Sequence, residues 1–368
     1  MAARFPNLDG LRFLAAALVV LDHLQQHRAN LGLPYWGDLH HWEVLGHLGV
    51  LLFFVLSGFL ITYLLLEEER DTGRIAYGRF QMRRVLRIWP LYFLIVLLSL
   101  YVFPALPWMD MPDLPADAIT TGRPWKLLLY TLFVPSLVPS LAGAVPHAGH
   151  LWSIGTEVHF YLLWPLLLLL VRKHRLWLAV AVMLSYPLGM RMLGSAWAAV
   201  AVPHQQLVLL YWSQANVESL GLGALCAILA FRGGRPLDLL LNRHLFRVAV
   251  VAAVILVVFG MPLGPRAYKV GTFLFGFIIL NLAVNPAVGK PLEWEPLRYL
   301  GRISYGIYMY HLAVIVGVVN VLLAIGRVHD VLLYPLVFGA TIGVSALSFR
   351  YFEGFFQGFR KRWLRRTG

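Results

Sequence analysis

Residues 162–171 read LLWPLLLLLV, a run with no charge and one polar side-chain hydrogen, on the indole of Trp164. By itself such a run could be a buried strand or a core helix. Comparable runs lie on both sides of it, however, and of the 368 residues 59% are hydrophobic while only 13% are charged, about half the charge of an average soluble domain. Mean hydropathy is +0.70. So few charges could not cover the surface of a soluble domain, and lipid is the solvent that this composition suits. A membrane span needs about 20 mainly apolar residues. Stretches bounded by polar or Pro/Gly loops predict ten: 8–27, 47–66, 88–106, 152–171, 176–193, 207–231, 247–263, 268–285, 303–325 and 331–350. The expected fold is an all-α, polytopic helical bundle with both termini in the cytoplasm.

Charge sets the expected orientation. The net charge is +13, and most of the 31 Lys and Arg residues fall in Arg70 to Arg87, Arg172 to Arg175, Arg232 to Arg247, Lys290 to Arg302 and the tail Arg350 to Arg366. The positive-inside rule assigns all of these to the cytoplasm. The segment 125–138 is too short to cross and carries Pro135, so it is expected to be re-entrant or interfacial on the outer side. If it crossed, the later basic loops would face outward. The basic excess is explained by orientation, and with no aromatic-basic readout module nucleic acid is not expected as a partner. A single cysteine, Cys226, excludes a disulfide framework and cysteine metal or redox chemistry. The apolar run from Leu11 is followed by Asp22, His23 and Gln25 and no small-residue cleavage site, so no cleaved signal peptide is expected. No internal repeat or paired broken segments of the transporter kind are evident.

Ionisable residues inside spans are costly and mark function by default. Arg12 and His23 are eleven residues apart within LDGLRFLAAALVVLDHL (8–24), which puts them on one helical face with about 16 Å between them. Snorkelling of Arg12 to one headgroup layer and His23 to the other is the competing role. In GVLLFFVLSGFLI (49–61), Ser57 and Gly58 are small enough for close helix packing. RFQMRRVLRIWPLY (79–92) sets Arg84 and Arg87 one turn apart. Two guanidiniums on one face suit a phosphate-rich ligand or, equally, anionic lipid headgroups. HLWSIGTEVHFYLLWP (150–165) puts His150, Glu157 and Tyr161 on one face if helical, with Trp152 and Ser153 at its start, and SYGIYMYHL (304–312) puts Tyr308 and His311 at i and i+3. His40, His41, Glu43 and His47 are metal ligands in type but lack the HExxH spacing, and no metal site is expected.

Taken together, these five stretches in order resemble membrane-bound acyltransferase family 3, the polytopic enzymes that O-acylate bacterial surface carbohydrates and some other acceptors. The resemblance covers most of the chain. It implies a single transmembrane acyltransferase domain over 1–368, located in the bacterial cytoplasmic (inner) membrane, with no fused soluble esterase-like domain before Gly368. It further implies His23 as the catalytic residue, Arg12 as its essential partner, and Arg84 with Arg87 in acyl-CoA use. Glu157 and Tyr161, with Trp152 and Ser153, match the family's Trp-Ser-x-x-x-Glu-x-x-x-Tyr region; Glu157 is the third catalytic candidate, and Trp152, Ser153, Tyr161, Tyr308 and His311 are candidates for substrate binding. FRYFEGFFQGFRKR (349–362) departs from the family pattern by carrying Phe355 where Pro would stand after Glu353. The implied reaction moves an acyl group, acetyl first among the candidates, from cytoplasmic acyl-CoA, a co-substrate rather than a resident cofactor, to a hydroxyl of an exopolysaccharide, lipopolysaccharide or lipid-linked precursor. His23 could act as general base or the reaction could pass through an acyl-enzyme. A transporter or flippase with an intramembrane His/Arg/Glu path is the alternative.

Overall fold

The computed structural model describes residues 5–37, 39–111, 119–197, 203–259 and 266–359. Among them there is no strand. The main helices are α1 (Pro6–Asn30), α2 (Leu39–Thr72), α3 (Tyr77–Leu97), α4 (Arg123–Thr131), α5 (Trp152–Leu170), α6 (Arg175–Trp197), α7 (Pro203–Ala215), α8 (Val217–Arg232), α9 (Arg243–Phe259), α10 (Arg266–Val284), α11 (Ser304–Ala324) and α12 (Asp330–Leu347). Eight helices among the described residues are long and apolar enough to cross a membrane, and the protein is an all-α polytopic membrane protein.

Two expected spans fall outside those eight for physical reasons. In α1 the apolar run is interrupted by Arg12, Asp22, His23, Gln25 and Gln26, which lowers its hydropathy, and α9 is 17 residues long. The segment 125–138 holds most of the nine-residue α4 and a single 3-10 turn, Pro135–Leu137. At 1.5 Å per residue α4 is about 14 Å long, well short of a bilayer core of about 30 Å. The stretch expected as one span over 207–231 lies within one of the eight candidates, Gln206–Arg232, which is broken into α7 and α8 where Asn216 takes a left-handed conformation (φ 43°).

The chain divides into two compact units. The first comprises Met1–Val19, Asp38–Tyr77 and Glu157–Arg302. Its apolar core joins the start of α1 to α2, α8, α9 and α10 through Leu11, Leu51, Phe59, Ala227, Leu256 and Phe275. Glycine permits the closest crossing, between α2 and α8: a Cβ at Gly58 would collide with the carbonyl oxygen of Leu220, and one at Gly223 with that of Val55. This is the small-residue packing that lipid-solvated helices depend on in place of hydrophobic exclusion. A bidentate ion pair from Arg175 to Glu69, at 2.5 and 3.0 Å, ties the start of α6 to the end of α2.

The second unit comprises Val20–Gly37, Gly78–Thr156 and Ile303–Gly368. Its α1 segment is fastened to α12 by polar contacts. Arg28 pairs with Asp330 at 2.9 Å, the Gln25 amide donates to the Tyr334 hydroxyl, and Trp36 stacks on Tyr334 while its indole donates to Asp330. The Tyr305 hydroxyl donates to the Ile88 carbonyl and so ties α11 to α3, and that of Tyr92 donates to the Tyr130 carbonyl of α4. Arg28, Gln25 and Tyr92 are buried, so these contacts satisfy polar groups that would otherwise be costly in an apolar interior.

Candidate active site

The second unit gathers histidines from three elements. His23 comes from α1, His311 from α11, and His150 from the 3-10 turn that leads into α5. Nδ1 of His23 lies 2.9 Å from Nε2 of His311, and Nδ1 of His311 lies 2.6 Å from the carbonyl oxygen of Tyr308, one turn earlier on α11. The ring of His150 meets His311 edge-on, with centroids 4.8 Å apart, and Tyr308 in the same manner at 5.2 Å. The Tyr308 hydroxyl donates to the His150 carbonyl at 2.9 Å. That uses its one proton, so the 2.6 Å contact with Ser153 makes the Ser153 Oγ the donor. Tyr308, Ser153 and the backbone of His150 thus form a closed polar knot that fixes α11 against the start of α5, with His311 at its edge.

This cluster opens on a cavity of about 260 Å³ lined by His23, Gln26, His27, His147, His150 and Leu312, among others. Gln26 is held by a hydrogen bond to Asp22 one turn earlier. His147 donates from Nε2 to the Met109 carbonyl at 2.9 Å, and burial pushes its pKa down to about 4, against the pull of that carbonyl, of Leu312 and of Asp110. His147 is therefore a neutral wall of the cavity at physiological pH. A basic ring nitrogen, amide groups and apolar side chains around one space make a chamber suited to holding a hydroxyl beside His23.

The remaining predicted residues lie as follows. Arg84 and Arg87 sit on α3 in the same unit, one turn apart and partly exposed; the Arg84 guanidinium lies over the Phe80 ring, and Arg87 is within electrostatic reach of Glu353. Trp152, half-buried, begins α5. Arg12, Glu157 and Tyr161 belong to the first unit. There Arg12 pairs with Asp9 at 3.6 Å. Glu157 accepts from the hydroxyl of Ser57 at 2.5 Å through one oxygen and from that of Tyr161 at 2.9 Å through the other, and Tyr161 also lies 3.0 Å from Ser57.

Sequence reasoning named His23, Tyr308 and His311 but not the contact between the two histidines, which are 288 positions apart. It did not single out His147, Gln26 or His27. The only available signal for His147 was a polar pair in an otherwise apolar loop, VPHAGH (145–150). Ser57, expected to serve packing, is also a hydrogen-bond donor to the half-buried carboxylate of Glu157.

Comparison with known proteins adds a family and relatives. The family model described as an acyltransferase domain matches residues 5–350. The chain is 26% identical to the peptidoglycan O-acetyltransferase OatA of Listeria monocytogenes, over 97% of this chain and 58% of that protein. It is 25% identical to the O-acetyltransferase OatA of Staphylococcus aureus, over 95% of this chain and 56% of that protein. It is 28% identical to YrhL of Bacillus subtilis, over 84% of this chain and 48% of that protein. The chain thus spans about half the length of the curated relatives it matches. No solved structure matches it.

Proposed function

Since the chain belongs to the family of acyltransferase domains, we propose that it is a membrane O-acetyltransferase that moves an acetyl group from a thioester donor to a carbohydrate hydroxyl, with His23 as general base. The observation that carries this reading is the ring of His23 at the wall of a 260 Å³ cavity, braced by His311 from a distant helix. The names of the relatives support the carbohydrate acceptor. Within that class we assign a glycan of the cell surface or its lipid-linked precursor, modified by an enzyme of the cytoplasmic membrane.

The donor in this proposal is acyl-CoA. Its phosphates are held by Arg84 and Arg87, whose planar guanidiniums match phosphate oxygens in pairs, and its pantetheine arm carries the thioester to His23. Nε2 of His23 takes the proton of the acceptor hydroxyl as its oxygen attacks the thioester carbonyl. The tetrahedral intermediate then collapses, the carbon–sulfur bond breaks, and the proton passes from His23 to the departing thiolate. The ester, free CoA and the neutral imidazole remain, so the cycle closes. Arg12, eleven residues before His23 on the same helix, is assigned a role in transfer, and Arg12→Ala at unchanged expression should lower it.

Purified protein supplied with acetyl-labelled CoA and a soluble oligosaccharide tests the reading directly. Label should pass to the acceptor, and His23→Ala should cut transfer by about 10²-fold or more, the usual contribution of a positioned base, at unchanged expression and membrane insertion. Near-native transfer by a well-inserted His23→Ala protein would remove His23 from the mechanism.

A further inference from the structure

We infer that His311 is a positioning residue that fixes the tautomer of His23. The inference rests on the reading of His23 as the base and adds what makes it one. The argument starts at a carbonyl, which can only accept a hydrogen bond. Nδ1 of His311 is 2.6 Å from the carbonyl oxygen of Tyr308, so Nδ1 carries the hydrogen. A neutral imidazole has one N–H and one lone pair; with the N–H directed at the carbonyl, Nε2 of His311 offers the lone pair. The group facing it at 2.9 Å, Nδ1 of His23, must then be the donor. Nε2 of His23 is left with its lone pair, and the ring lines the cavity.

One backbone carbonyl thus sets the proton positions of two rings in series. His311 is fully buried and cannot exchange this arrangement for water. The knot of Tyr308, Ser153 and the His150 backbone holds the carbonyl's helix in place, and the ring of His150 packs edge-on against His311. The role is the one that a carboxylate plays in the familiar serine hydrolase triad, where loss of the orienting group leaves the imidazole in the wrong tautomer. Here the orienting group is neutral and comes from a second histidine. When His23 takes the substrate proton, its Nδ1–H bond to His311 becomes charge-assisted and strengthens in the state that needs it.

The test compares His311→Leu, which fills the volume without an acceptor, with His311→Gln, whose amide oxygen can accept from His23. His311→Leu should lower kcat by about 10²-fold, with KM for donor and acceptor changed less than about threefold, and His311→Gln should recover most of that loss. In a His23→Ala background, His311→Leu should cost nothing further, since residues acting as one unit are not additive. Nitrogen-15 NMR of histidine-labelled protein in lipid should show neutral His23 protonated at Nδ1 in the native chain, with that signature lost in His311→Leu. A raised acceptor KM at unchanged kcat, multiplicative losses in the double variant, or a native His23 protonated at Nε2 would each overturn the inference. If instead His23→Ala alone transfers acetyl at the native rate, the base assignment itself has failed, which is a distinct result.

Discussion

His147 shows how one buried ring ties stability to pH. Its pKa in the folded chain is about 4, lowered by burial from an ordinary 6.5. The unfolded chain therefore binds more protons than the folded one between those two values, and stability rises with pH across that window and is lost as pH falls through it. The shift corresponds to about 3 kcal/mol at most. We expect Tm of the protein in detergent to fall on acidification from pH 7 to pH 4, and to fall less in His147→Gln, whose amide still donates to the Met109 carbonyl. Equal slopes for the two proteins would assign the acid sensitivity elsewhere. None of this was legible in VPHAGH, since burial depends on residues from α1, α11 and the loop at Met109. His23 with Arg12 could be read because their spacing is a property of one helix. His311 as the partner of His23 could not, because helical periodicity carries no information between elements.

At the scale of the helix, apolar length and charge made most spans readable, and what they left unread has local causes. The break at Asn216 needs a residue that tolerates positive φ, which asparagine does, but an isolated Asn in an apolar run gives no hint of which conformation it takes. Helix α3 shows what a correct local reading leaves out. The i, i+3 spacing of Arg84 and Arg87 puts both on one face, as expected, yet their surroundings differ: Arg84 lies over the Phe80 ring, whereas Arg87 is opposed by the carboxylate of Glu353 from the far end of the chain. The two should therefore respond unequally to substitution. Loss of a charge-assisted contact to phosphate costs about 1.5–3 kcal/mol, so Arg84→Gln should raise KM for acyl-CoA by about 10-fold or more, with Arg84→Lys recovering only part because Lys lacks the planar fork. Arg87→Gln should raise it less and should also lower thermal stability, since it leaves the buried Glu353 without its opposing charge. Steady-state kinetics with the donor varied, at saturating acceptor, checks both. Unchanged donor dependence in the two variants would leave these arginines to the lipid headgroups.

For the molecule as a whole, orientation follows from charge. The loops holding Gly73 and Gly234 lie in basic clusters, whereas the segment around Ser140 and the turn at His329 do not. The positive-inside rule then puts the first pair in the cytoplasm and the second pair outside. All four positions are exposed, and the lone native cysteine, Cys226, is buried. Single cysteines at the four positions in a Cys226→Ala background, treated on intact cells with an impermeant thiol reagent, should label at 140 and 329 and remain unlabelled at 73 and 234. The outcome at 234 decides the most, because it depends on whether the chain crosses the membrane between α3 and α5. Helix α4 has nine residues where a span needs about 20, and a crossing would turn the clusters at Arg172 to Arg175 and Arg232 to Arg247 outward together. Labelling at 234 from outside would mean that the segment crosses despite its length, and the donor role proposed for Arg84 and Arg87 would then have to be reconsidered along with the side from which the proposed acyl-CoA donor enters.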